Sequence, residues 1–204
     1  MIGIAVALPT TIAIWLGVYY GLPPLAGMSE PLSRLAFAIN CSCLAVLFCL
    51  LTGIEAISHE RLHSDAFDPL AGRESRRLKI NIRYLQNTVE QLLLFIPGLM
   101  ALAWYCEDGS SMRAVAATSV VWILARAAFW IGYHIGPQYR VVGLTGMLQS
   151  MLVLLYVSAR FGYDLAGILG AIIPVTLFIG LEVILVVVTR RPTAEGASTK
   201  AVEP

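Results

Sequence analysis

A chain of 204 residues that is 58% hydrophobic and 13% charged, with a mean hydropathy of +0.76, is too apolar for an ordinary soluble domain. With Lys+Arg 14 against Asp+Glu 13, bulk charge offers no basis for a nucleic-acid partner or an acidic one. The class that remains is an all-α polytopic membrane protein, a transmembrane helical bundle.

Six apolar stretches approach the roughly 20 residues a helix needs to cross the hydrocarbon core. They cover 2–22, 35–57, 84–105, 114–133, 141–161 and 166–189. Pro9, Pro97 and Pro174 fall inside three of them, where membrane helices accept a kink. Turn chemistry separates them at Pro23-Pro24, 58–79, 107–111, Gly136-Pro137 and 162–164. The first stretch has no basic leader region and no small-residue cleavage pattern, so it is expected to be a retained span. Residues 1–192 are expected to form one transmembrane domain, followed by a disordered tail over 193–204. Three of the four cysteines, Cys41, Cys43 and Cys49, lie within an apolar run, so no disulfide framework follows.

Short loops rich in Lys and Arg stay on the cytoplasmic side. With six spans, the 58–79 loop, the 136–140 turn and the tail share a side that holds Arg61, Arg73, Arg76, Arg77, Lys79, Arg140, Arg190, Arg191 and Lys200. The opposite loops hold Arg34, Arg113 and Arg160. Both termini are therefore expected in the cytoplasm, with the protein in the cytoplasmic (inner) membrane.

Polar groups on a membrane helix are expensive unless they face a bundle interior or an aqueous cavity, so they mark a site. Arg83, Asn87 and Glu90 share one helical face at the mouth of the third stretch, and Gln91 follows them. Arg126 starts a second stripe on the fourth, with Phe129, Trp130 and Tyr133 at helical spacing after it. A mutually satisfied network that only joins helices would also account for these groups, with Glu90 pairing either arginine.

Arg83-x-x-x-Asn87-x-x-Glu90 followed by Arg126-x-x-Phe129-x-x-Gly132-Tyr133 and Arg140 resembles the MAPEG family, the membrane-associated proteins in eicosanoid and glutathione metabolism. The resemblance runs from about Glu55 to Phe161. It implies a four-helix core over about 35–161 with one extra span at each end, a homotrimer, and glutathione held between subunits near the cytoplasmic face. Carried over by position, Arg83, Asn87 and Glu90 match the glutathione-binding stripe, Tyr133 a tyrosine of that site, and Arg140 the arginine that activates the thiol. Phe129 stands where glutathione-using members carry a tyrosine, and Gln91 where several carry another. The implied activity is glutathione conjugation or peroxide reduction on a lipophilic substrate arriving through the membrane lipid. The alternative is a non-catalytic member that binds a lipid or a partner.

The residue types suit that ligand. Arginines hold carboxylates by charge-assisted bonds, and Glu90 can receive an ammonium group. A cation such as Arg140 beside the sulfur raises the thiolate fraction.

His59-Glu60-Arg61-Leu62-His63 spells the H-E-x-x-H of zinc peptidases, but it precedes helix-breaking residues 65–69 and has no adjacent third ligand. Solvated loop histidines are expected instead, with no metal site. Glu182, inside the last stretch, is assigned no role beyond a hydroxyl, helix or proton-pathway partner.

Overall fold

The computed structural model describes residues 2–136 and 138–189, with side chains described from residue 6 onward and that of residue 142 left out. The expected tail over 193–204, with Lys200, and the preceding Arg190 and Arg191 lie outside the described residues. Every regular element among the described residues is helical, in keeping with an all-α membrane bundle.

α1 covers Ile2–Gly21. α2, Pro31–Ala45, opens with proline at its first turn, where the missing N–H costs nothing. It runs on through a π-helical stretch, Val46–Leu51, into α3, Thr52–Leu62. α4 covers Arg76–Tyr105, α5 Arg113–Ile135, a 3-10 turn Tyr139–Gly143, and α6 Leu144–Thr189. Four helical runs are long and apolar enough to cross a membrane: Pro31–Leu62, Arg76–Tyr105, Arg113–Ile135 and Tyr139–Thr189, the last broken by a kink. A shorter apolar helix, Val6–Gly21, precedes them.

α4 begins eight residues before the apolar run at Tyr84. Ser75 explains the early start, because its side chain accepts from Leu78 N at 3.0 Å and caps the first turn. The two ends of the polar stretch over 58–79 are thus helical, 58–62 in α3 and 76–79 in α4, with the non-helical loop confined to 63–75.

The chain divides into two compact units, Met1–Val157 and Ser158–Pro204. In the first, the core gathers Cys49, Leu92, Phe95, Leu99, Met112 and Trp122, with the Phe95 and Trp122 rings stacked at 4.4 Å. Leu93, Leu124 and Ile131 face outward, as helices bounded by lipid require.

Two loops meet at one end of this unit. Arg34 donates to the carbonyls of Met28, Ser29 and Glu107 at 3.2, 2.8 and 3.1 Å, and Leu25 N donates to Gly109 O at 3.0 Å. Gly109 admits no side chain there, since a Cβ would lie 2.0 Å from Leu25 O. The opposite end carries the start of α4 and the end of α5, where the polar residues collect.

In the second unit the helix breaks at Ala166 (φ −143°, ψ 22°) and Gly167 (φ 64°, ψ −147°), the latter a conformation suited to glycine. The bend brings Gly162 and Gly170 into backbone contact, where a Cβ on either would lie 2.0 Å from the other's carbonyl oxygen. The expected boundary between the last two apolar stretches thus falls two residues beyond Asp164.

Candidate functional site

The π-helical stretch frees carbonyl groups from the regular ladder. Tyr84 of α4 satisfies one by donating its hydroxyl to Cys49 O at 3.0 Å. Gly53 makes room for the ring, since a Cβ there would touch Tyr84 Cε1 at 3.0 Å. The other face of Tyr84 stacks on Trp130 of α5 at 4.9 Å.

Arg126 sits beside this ring, 3% exposed. Its guanidinium donates to Asn87 Oδ1 at 2.9 Å and to Thr88 Oγ1 at 2.8 Å. Thr88 in turn donates to Tyr84 O at 2.7 Å, so its hydroxyl serves both helices. The cation lies 4.6 Å from the Phe129 centroid and 5.2 Å from that of Tyr84. Arg126 Nε has no partner among the described residues.

Arg83 and Glu90 occupy the outer face of α4, where both are exposed. They do not meet directly. Gln86 joins them, accepting from Arg83 at 3.1 Å and donating to Glu90 at 3.3 Å. The pairing of Glu90 with an arginine, open in the sequence, does not occur among the described residues; the carboxylate takes the amide. Asn87 is half-buried between this outer line and Arg126, and Gln91 is buried at 6% exposure with its Oε1 unpartnered among the described residues.

Arg140 is placed by glycines. A Cβ on Gly132 would lie 2.6 Å from Tyr139 O, and one on Gly143 would lie 2.2 Å from Phe129 Cβ, so the 3-10 turn presses backbone-close onto α5. Arg140 thereby hangs over Tyr133 at 5.6 Å, and Tyr133 meets Phe129 edge-on at 5.8 Å. Arg126, Phe129, Tyr133 and Arg140 form a ladder in which two rings separate two guanidinium groups.

Glu60, the glutamate of the H-E-x-x-H spelling, turns toward α4. It accepts from Ser75 Oγ and from Asn81 Nδ2 at 3.3 Å, and it pairs with Arg77 at 3.7 Å. Asn81 Oδ1 accepts from Trp130 Nε1 at 2.9 Å and lies 2.9 Å from His134 Nε2. His59 and His63 are exposed, and no group of three His, Cys, Asp or Glu suited to a metal occurs among the described residues. Glu60 is occupied in joining α3 to α4, and Asn81 carries the link on to α5, which leaves Glu60 unsuited to serve as a peptidase base.

The MAPEG family model matches residues 35–161, more than half of the chain. The chain belongs to the MAPEG family. An uncharacterised protein of Synechocystis sp. is 34% identical over 83 residues, covering 40% of this chain and 56% of that protein. The chain thus spans little more than half the length of that curated relative. No solved structure matches.

The family match contains every residue singled out from the sequence as a site candidate. The structure brings Asn87 to Arg126, and Phe129, Tyr133 and Arg140 into one ladder, while Arg83 and Glu90 lie on the outer face. Four residues went unnoticed: Tyr84, Gln86, Thr88 and Asn81. Gln86 was findable, because it stands three residues from Arg83 and four from Glu90.

Proposed function

We propose that this protein binds glutathione at the end of the bundle bearing Arg83 and Arg140, and that it is a membrane transferase or peroxidase for lipophilic substrates. The observation that carries this reading is the line Arg83–Gln86–Glu90, a cation, an amide and a carboxylate exposed on one face of α4. Such a line is unfavourable against lipid and suits a tripeptide with two carboxylates and one ammonium group. Because it faces out of the single chain, a second subunit completes the site, in keeping with the homotrimer usual for the family. In this reading this end and both termini face the cytoplasm and the protein lies in the inner membrane, with the cation asymmetry of the loops as support.

In this reading Arg83 receives a carboxylate and Glu90 the ammonium group. Arg126, fixed by Asn87 and Thr88, holds α4 and α5 in register behind them. Arg140 draws the sulfur toward its anionic form, the proton leaving to water. The thiolate then attacks a molecule concentrated in the bilayer, either at an electrophilic carbon, forming the C–S bond as the leaving group departs with its electron pair, or at the outer oxygen of a hydroperoxide, breaking the O–O bond. The second course gives a sulfenic acid and an alkoxide that takes a proton from water, after which a second glutathione reduces the sulfenic acid to the disulfide and water. Calorimetry with glutathione on detergent-solubilised protein tests the reading, with Arg83→Ala and Glu90→Ala alongside. Affinity lowered about tenfold or more in both variants supports it; no binding by the intact protein overturns it.

One observation favours a second reading, binding without turnover. Phe129 supplies a ring but no hydroxyl beside Arg126, and two of that cation's nitrogens are already bonded within the chain. Glutathione bound with no consumption of a lipophilic electrophile or peroxide would select this reading.

A further inference from the structure

A cavity of about 470 Å³ lies between the start of α4 and the end of α5, lined by Arg77, Trp130, Ile131 and His134. Ile131 is 60% exposed, and Leu124 and Ile135 are exposed at helical spacing on the same face of α5, so the cavity opens onto a lipid-facing strip. It is separate from the Arg83 line, since Arg77 and Arg83 stand about 120° apart around the α4 axis.

The hydrogen-bond chain behind the cavity fixes the state of His134. Trp130 Nε1 can only donate, and it donates to Asn81 Oδ1, while Asn81 Nδ2 donates to Glu60, so the amide cannot be reversed. The His134 nitrogen 2.9 Å from that same Oδ1 must therefore carry its hydrogen. In the neutral ring Nδ1 is then the acceptor. It has no partner among the described residues and, unlike Gln91 Oε1, is not sealed from the surface. Arg77 meets Glu60 through Nε, and its two terminal nitrogens are unbonded among the described residues, on a side chain 76% exposed. The charges that act on the His134 ring are Arg77, Glu60 and Arg76, two positive against one negative.

We infer that this cavity holds the head of an anionic phospholipid bearing a free hydroxyl, a lipid of the phosphatidylglycerol type. The terminal nitrogens of Arg77 take the phosphate, a hydroxyl of the head donates to His134 Nδ1, and an acyl chain runs down Ile131 and Leu124. Trp130 sets the depth, as an indole does at the headgroup level. A choline head has no hydrogen to donate and brings a positive charge to a cavity already net positive. The apolar strip favours a lipid over a soluble phosphate ester. This inference does not rest on glutathione binding, and its test leaves that reading untouched.

The test uses the full chain in dodecyl maltoside at pH 8, where an ordinary histidine is neutral, with bound lipid counted by native mass spectrometry. Phosphatidylglycerol should bind about fivefold tighter than phosphatidylmethanol, which has the same charge and no hydroxyl, and both should bind tighter than phosphatidylcholine. Arg77→Gln should bring both anionic lipids close to phosphatidylcholine. Ile131→Glu, an exposed change that sets a carboxylate beside the phosphate, should do the same if Arg77→Gln proves unstable. His134→Leu should erase the preference for the hydroxyl and keep that for the charge. Lys79→Gln removes a cation of the same helical turn on another face of α4, and should change little. Each variant is first matched to the parent by thermal melting. Equal losses in Lys79→Gln and Arg77→Gln would reduce the effect to general surface charge and overturn the site. Equal binding of phosphatidylglycerol and phosphatidylmethanol would overturn the hydroxyl recognition, and displacement of either lipid by millimolar glycerol 3-phosphate would overturn the choice of a lipid.

Discussion

Arg126 of α5 holds Asn87 of α4 at 2.9 Å, and with the same guanidinium it holds Thr88 at 2.8 Å. Two adjacent side chains on one helix thus share a single buried cation, which fixes both the rotation and the depth of α4 against α5. Arg126→Met removes the charge and leaves Asn87 and Thr88 without their donor. The expected loss is about 2–4 kcal/mol, read as a lower midpoint in detergent thermal melting. Arg126→Lys should recover only part, because an ammonium group cannot match the planar fork.

Arg83→Ala should behave differently. Its side chain is exposed and, among the described residues, bonded to Gln86 alone, so stability should stay within about 0.5 kcal/mol of the parent, read as an unchanged melting midpoint. Glutathione affinity should fall roughly tenfold for loss of a charge-assisted contact, measured by calorimetry. Gln86→Leu should weaken binding too, by freeing Arg83 and Glu90 from their common orientation.

Tyr84→Phe keeps the ring on Trp130 but withdraws the hydroxyl from Cys49 O. A cost of about 1–2 kcal/mol is expected, because a buried carbonyl loses its donor. Hydrogen exchange along Val46–Leu51 should quicken if the hydroxyl supports the π-helical stretch, and an unchanged pattern would refute that role.

A pH effect is expected at the far loop. Ser111 donates to Asp108 Oδ1 from its backbone N–H and its hydroxyl, both at 2.8 Å. Its backbone N–H and then its hydroxyl hold the Asp108 carboxyl below its ordinary value of 3.8. A depressed carboxyl contributes stability above its unfolded value and loses it as the pH falls through the lowered one. Melting curves of the parent and of Asp108→Asn should therefore differ at neutral pH and converge below about pH 4.

Cys106, just past α4, is buried, and that burial pushes its thiol up. It should resist iodoacetamide at neutral pH in the folded protein and react after denaturation, as shown by mass spectrometry.

The polar stripes of α4 and α5 were legible because helical spacing shows which residues share a face. Spacing does not show which helix that face meets. Asn87 therefore reads as a companion of Arg83 and Glu90, whereas the packing turns it toward Arg126. Tyr84 and Thr88 were hidden for the same reason, since their partners are a carbonyl and a cation on other helices. The apolar runs located every helix, but the start of α4 depended on one serine and the position of Glu60 on a tertiary contact. Glu60 resembles a catalytic base only while its neighbours across the bundle are unknown.

The line Arg83–Gln86–Glu90 has a direction. Arg83 and Glu90 are seven residues apart on α4, about 10 Å along its axis, with the cation nearer the helix start. Gln86 donates at one end and accepts at the other, so it passes the sense of the charges along the line without reversing it. A zwitterion lying on this face would be aligned by that vector, its anionic end toward Ser75 and its cationic end farther along α4. Two molecules of equal size and net charge, differing only in the order of their charged ends, would be told apart by nearly two turns of helix.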